Sequence, residues 1–136
     1  MKKVFVVVTL LFSLFLPLSH CSAADWYWIL SDDKKTVYVD RSSGIWDGMD
    51  LHVGLKVVKA NGEYSLINLI ARYESGNEIY LQNSTVFVYD KNGRYILHFS
   101  DDNWIEVKPN TAGQVLAFKL FELYQGHFKR DNKIPE

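Results

Sequence analysis

Leu51, Val53, Leu55 and Val57 alternate with His52, Gly54, Lys56 and Val58, and a period of two is the signature of a strand with one face turned inward. The same period runs, less cleanly, from Trp26 to Phe99 and is interrupted by clusters of turn residues. This predicts strands over 26–30, 36–40, 51–58, 64–73, 79–90 and 94–99. Asn61-Gly62 and Asn92-Gly93 each stand between two alternating runs, the strongest short hairpin signal, and predict type I′ turns. Ser31 to Lys35 and Ser75-Gly76-Asn77 mark two further turns, and the polar run Gln82 to Ser84 predicts a bulge. Arg41 to Met49 reads as a loop pinned by two buried side chains, Ile45 and Trp46.

The period changes after Trp104. Over 112–125, Leu116, Ala117, Leu120, Leu123 and Tyr124 fall on one stripe, opposite Lys119 and Glu122, as in a helix with one buried face. Thr111 and Gln114 have capping-box spacing, and Gly126 stands where a left-handed C-cap would. The expectation is an α+β, mostly β, domain: an antiparallel meander of about six strands with one C-terminal helix packed on one face.

The first 24 residues set the compartment. Lys2 and Lys3 precede an apolar run, Val4 to Leu16, and Ser22-Ala23-Ala24 supplies the small side chains of a cleavage site, so residues 1–24 read as a cleaved signal peptide. The run is shorter than the roughly 20 residues a spanning helix needs, and no transmembrane segment is expected after cleavage. The remaining 112 residues divide into a single domain over 25–127 and a polar tail over 128–136. Leu18-Ser19-His20-Cys21 resembles a lipobox with His20 in place of the usual small residue, which makes Cys21 the candidate for lipidation and a lipid anchor the alternative to simple release. The expected destination is periplasm, cell surface or extracellular space. Cys21 is the only cysteine, so the domain must hold together without disulfides. After cleavage 13 basic residues face 16 acidic ones, which argues against nucleic acid as a partner.

Catalytic machinery is sparse. His52, His98 and His127 have no metal-ligand spacing, and no Gly-x-Ser-x-Gly elbow or cysteine nucleophile is present in the domain. Asp32-Asp33, Asp101-Asp102 and the pair Asp47 and Asp50 read as turn chemistry, because adjacent residues on an extended chain point in opposite directions. No catalytic residue, cofactor or metal is expected. The aromatic residues allow two readings. Trp26, Trp28, Trp46 and Trp104, with the many tyrosines, either fill a disulfide-free core or leave an exposed surface for a protein or glycan partner. Trp26 and Trp28 should share one face, with Tyr27 on the other.

Trp26, Ser31-Asp32-Asp33, Thr36-Val37-Tyr38-Val39-Asp40-Arg41-Ser42-Ser43, Tyr89-Asp90-Lys91-Asn92-Gly93, Trp104 and Pro109-Asn110-Thr111 before a terminal helix resemble the surface-adhesin protein E family in order and spacing. The resemblance covers about residues 26 to 125. It implies a small bacterial envelope protein with an antiparallel sheet and a helix across it, and an adhesin-like role. That family can tether helix to sheet by a disulfide, and this chain has no cysteine for it. The expected function is that of an exported, non-enzymatic binding protein. The alternatives are an inhibitor or accessory subunit of a periplasmic enzyme and, further off, a small hydrolase whose His52 or His98 would meet a carboxylate in a concave pocket. An exposed sheet edge also leaves a homodimer open.

Overall fold

The computed structural model describes residues 23–74 and 78–124. Residues 1–22 of the signal segment, with Cys21, the Ser75-Gly76-Asn77 turn, Gly126, His127 and the polar tail lie outside the described residues. Among the described residues, eight strands and one helix follow in chain order: β1 (Trp26–Ser31), β2 (Lys35–Asp40), β3 (Ile45–Asp47), β4 (Asp50–Lys59), β5 (Tyr64–Tyr73), β6 (Ile79–Tyr89), β7 (Tyr95–Phe99), β8 (Ile105–Glu106) and α1 (Ala112–Leu123). They form one antiparallel sheet in the order β1-β2-β4-β5-β6-β7, with β3 paired to β4 and β8 to β6. The expected six-stranded meander is present, and the two short strands are additions to it.

Cross-strand register fixes which side chains share a face. Val39 pairs with Leu55 and Val37 with Val57, while Leu51 pairs with Ala71 and Val53 with Leu69. These residues, with Ile29, Leu120 and Tyr124, form the buried core between sheet and helix, Val57 packing half-buried at its margin. Each large side chain removed from water there contributes roughly 1.5–3 kcal/mol before entropy is counted. The predicted helix stripe is the packed one, with Ala117, Leu120 and Tyr124 buried and Leu116 and Leu123 against the core.

Local chemistry explains the corners. Both Asn-Gly hairpins form where expected, with a different turn. Only Gly62 (φ 89°) and Gly93 (φ 79°) take positive φ, not the preceding asparagines. The N–H of Gly62 donates to the Lys59 carbonyl and that of Gly93 to the Asp90 carbonyl, the pattern of a type I turn closed by a left-handed glycine bulge. Asp90 favours this alternative because its Oδ1 accepts from the N–H groups of Asn92 and Arg94. The bulge predicted in β6 is present opposite Asn68 and Leu69, which pair with Thr85 and Asn83 and leave Ser84 extra. At α1, Thr111 Oγ1 accepts from the Gln114 N–H, but Gln114 Oε1 returns to the N–H of Asn110 rather than to the cap residue itself.

The 41–49 segment departs most from expectation. Ile45–Asp47 is a strand, and its pairing puts Trp46 opposite Leu51 on the helix side and Ile45 opposite His52 on the other. Ile45 is therefore 65% exposed rather than buried. Trp46 stacks on Phe121 at 5.8 Å, and its Nε1–H donates to the Tyr124 carbonyl.

Candidate functional site: the uncovered sheet face

Among the described residues, only one face of the sheet carries a helix. The opposite face collects the other half of every alternating strand, and part of that half is aromatic. Register places Trp26 on it opposite Asp40, Tyr64 opposite Tyr89, Phe87 opposite His98 and Tyr89 opposite Tyr95. These side chains make a band across the sheet. Lys56 Nζ lies 5.9 Å from the centre of the Trp26 ring and 4.7 Å from that of Tyr64. Tyr64 stacks on Tyr89 at 5.0 Å, and Tyr89 meets Tyr95 edge-on at 6.1 Å. The Tyr95 hydroxyl hydrogen-bonds His98 Nδ1, and His98 stacks on Phe87 at 5.6 Å. Adjacent rings add about 0.5–1.5 kcal/mol per pair beyond their buried area, so the band is a stiffened surface rather than a set of free side chains. Lys56 makes no ion pair among the described residues, and its ammonium group stands over two rings.

Beside the band is a depression of about 440 Å³, walled by Trp26, Leu66, Phe87 and Ile70. Its floor is low because Gly54 puts no side chain on this face. A Cβ there would stand 3.3 Å from Ser43 Oγ. Beyond the five residue pairs that join β2 to β4, β2 ends and the chain turns away, so Ser43 takes over as partner for Gly54. Its Oγ accepts from the Gly54 N–H at 2.7 Å and donates to the Asp40 carbonyl at 2.7 Å. His52 and Asn68, whose side chains have no hydrogen bond among the described residues, also line the depression.

Asp40 is the polar hub of its rim. Burial pushes its carboxyl up, but hydrogen bonds from the Ser42 hydroxyl and from the N–H groups of Asp25 and Ser42 outweigh that and hold it below its ordinary value of 3.8. Tyr124 closes the same corner from the helix side, its hydroxyl donating to the Asp40 carbonyl at 3.1 Å. Burial first, and the Asp40 charge second, push the Tyr124 hydroxyl above its ordinary 10.0.

The depression therefore brings His52, Asp40 and Ser43 to one place, as the hydrolase alternative requires. The hydrogen bonds run elsewhere: the Ser43 proton goes to a backbone carbonyl, and the Asp40 carboxylate is occupied by Asp25 and Ser42. No group of three metal-binding side chains occurs among the described residues.

The four tryptophans separate. Trp26 stands in the band. Trp28 is half exposed on edge strand β1, with Lys119 Nζ 5.0 Å from its ring centre and its Nε1–H on Ser31 Oγ. Trp46 lies on the helix side and belongs to the core margin, because β3 pairing turns it toward Phe121. Trp104 caps the far end of the uncovered face, 4.1 Å from the Arg72 guanidinium, which itself forks onto Asp50 at 2.7 and 2.8 Å. The tyrosines, Phe87 and His98 carry more of the surface than the tryptophans do. The alternation of Tyr64, Leu66, Phe87 and Tyr89 against the core positions was the signal that could have picked them out.

No protein family, no curated protein and no solved structure matches this chain.

Proposed function

We propose that the chain is an exported, non-enzymatic binding protein of the bacterial envelope or surface, and that its ligand, a protein or glycan, lies on the uncovered sheet face. The observation that carries this reading is the aromatic band from Trp26 through Tyr64 and Tyr89 to His98, held in place by ring contacts and left without a covering layer among the described residues. Rigid aromatic side chains gain contact area on binding at little entropic cost, and isolated monomers seldom expose so much apolar surface without use. The adjoining depression, with the polar groups of His52 and Asn68 that have no hydrogen bond among the described residues, adds hydrogen-bonding capacity suited to one fixed ligand group. Export is supported by the leader and by β1 beginning just past the expected cleavage site. The adhesin-like role is supported by the landmarks shared with the surface-adhesin protein E family, whose implied architecture this fold has. A binding role is favoured over hydrolysis because the Ser43 hydroxyl and the Asp40 carboxylate already serve the backbone corner they hold.

The test is capture from envelope extracts and from host matrix components by the purified chain, with Trp26→Ala/Tyr64→Ala beside it. Loss of a captured partner in the double variant, with a cooperative melting transition retained, is the expected result. Undiminished capture by that variant, or turnover of an ester or glycoside substrate that His52→Ala abolishes, would refute the reading.

A further inference from the structure

β7 ends the sheet, and among the described residues no strand pairs with its outer edge. Such an edge presents a row of free N–H and C=O groups, and proteins ordinarily blunt it with lysine, proline or an inward charge. Here it is not blunted. Tyr95–Phe99 holds no proline and no Lys, Arg, Asp or Glu, and all five residues are exposed. It is apolar on both sides: Tyr95 follows Tyr89 onto the uncovered face, while Leu97 and Phe99 follow Val88 and Val86 onto the helix side and are 45% and 50% exposed there. The opposite edge differs. β1 is guarded by the Arg41–Asp25 ion pair at one end and by Lys119 on Trp28 and the Ile29 carbonyl.

The charges at the ends of β7 say what fits it. Lys91 and Arg94 precede the strand, and Asp101 and Asp102 follow it. Neither Arg94 nor Asp102 forms a side-chain ion pair among the described residues. An antiparallel copy of the same strand brings its acidic end to this strand's basic end, and the reverse, so the match occurs twice. We propose that β7 pairs with β7 of a second copy of this chain, antiparallel about a two-fold axis perpendicular to the sheet near Leu97. A strand of other sequence would need the same reversal of charge, which the chain's own strand already has. The axis keeps like faces together, so both aromatic bands lie on the same side of the joined sheet and present one wider surface.

The test is sedimentation of the chain expressed with its own leader, up to roughly 100 µM, with four variants. The wild type is expected to form a dimer that dissociates on dilution. Leu97→Lys puts two ammonium groups beside the axis and should raise the dimer Kd roughly a hundredfold. Arg94→Glu and Asp102→Arg should each raise it about tenfold through two symmetry-related pairs, and Arg94→Glu/Asp102→Arg should return to within about threefold of wild type. Should Leu97→Lys alter the melting curve, the charge variants decide alone, because their side chains are exposed and form no ion pair among the described residues. A monomer throughout the range, wild-type dimerisation by a normally melting Leu97→Lys, or a double variant no tighter than the single ones would each overturn the proposal.

Discussion

Gly44→Ala isolates the contact that fastens the helix to the sheet without a disulfide. Gly44 is not at positive φ, so alanine is compatible with its backbone and would by itself favour folding by about 0.4–1 kcal/mol through the unfolded chain. The space, however, is taken. A Cβ at Gly44 would stand 2.1, 2.4 and 2.6 Å from Cε1, Cζ and Cδ1 of Tyr124. Ordinary carbon contacts lie at about 3.5–4.0 Å, so ring or loop must move by roughly 1.5 Å. Tyr124 cannot do so freely: it is 7% exposed, its hydroxyl is bonded to the Asp40 carbonyl at 3.1 Å, and its carbonyl accepts from Trp46 Nε1 at 3.3 Å. Overpacking costs about 1–3 kcal/mol, and a lost hydroxyl bond about 0.5–1.5 kcal/mol more. The net expectation is a loss of about 1–4 kcal/mol, or roughly 4–16 °C in Tm at about 4 °C per kcal/mol for a domain of this size. Chemical denaturation measures it, and Tyr124→Ala supplies the control. With the ring removed, adding Gly44→Ala should be neutral or mildly stabilising, a coupling that independent sites do not show. If Gly44→Ala costs under about 0.5 kcal/mol, or costs the same with Tyr124 absent, the clash is not the reason for this glycine.

Two further outcomes follow from the same corner. Ser43→Ala strips the Gly54 N–H of its acceptor and the Asp40 carbonyl of a donor, and is expected to cost about 1–2 kcal/mol in urea unfolding, whereas Ser42→Ala beside it should cost less. Asp40 has a carboxyl held below 3.8 in the folded chain, so its contribution is complete above the unfolded value and disappears as pH falls through the folded one. Asp40→Asn should therefore flatten the acid limb of the stability curve below about pH 4 while changing its shape little near neutrality, which thermal melts from pH 2 to 7 would reveal.

The strands and helix were legible because their periods are clean. Tyr64–Tyr73 coincides with its expected bounds, and the stripe through Ala117, Leu120 and Tyr124 is the buried one. A period of two or 3.6 reports which half of an element avoids water, and that preference belongs to the side chains themselves. The errors occur where a partner decides. Ile45 is as apolar as Trp46, and only the pairing of β3 to β4 sends one outward and the other to Phe121. Asn-Gly marked both hairpins, but the Asp90 side chain and the strand register selected the turn. The sequence by itself thus determined the six long strands and the helix, the inward face of the cleanly periodic ones and the expectation of an exported domain free of disulfides, because these follow from local composition. The tertiary structure alone decided that Gly44 makes room for a ring 80 residues away, that Ser43 completes a strand, and that aromatic side chains from four strands converge into one band. Contacts between residues distant in the chain depend on register and sheet order, and no local pattern encodes those.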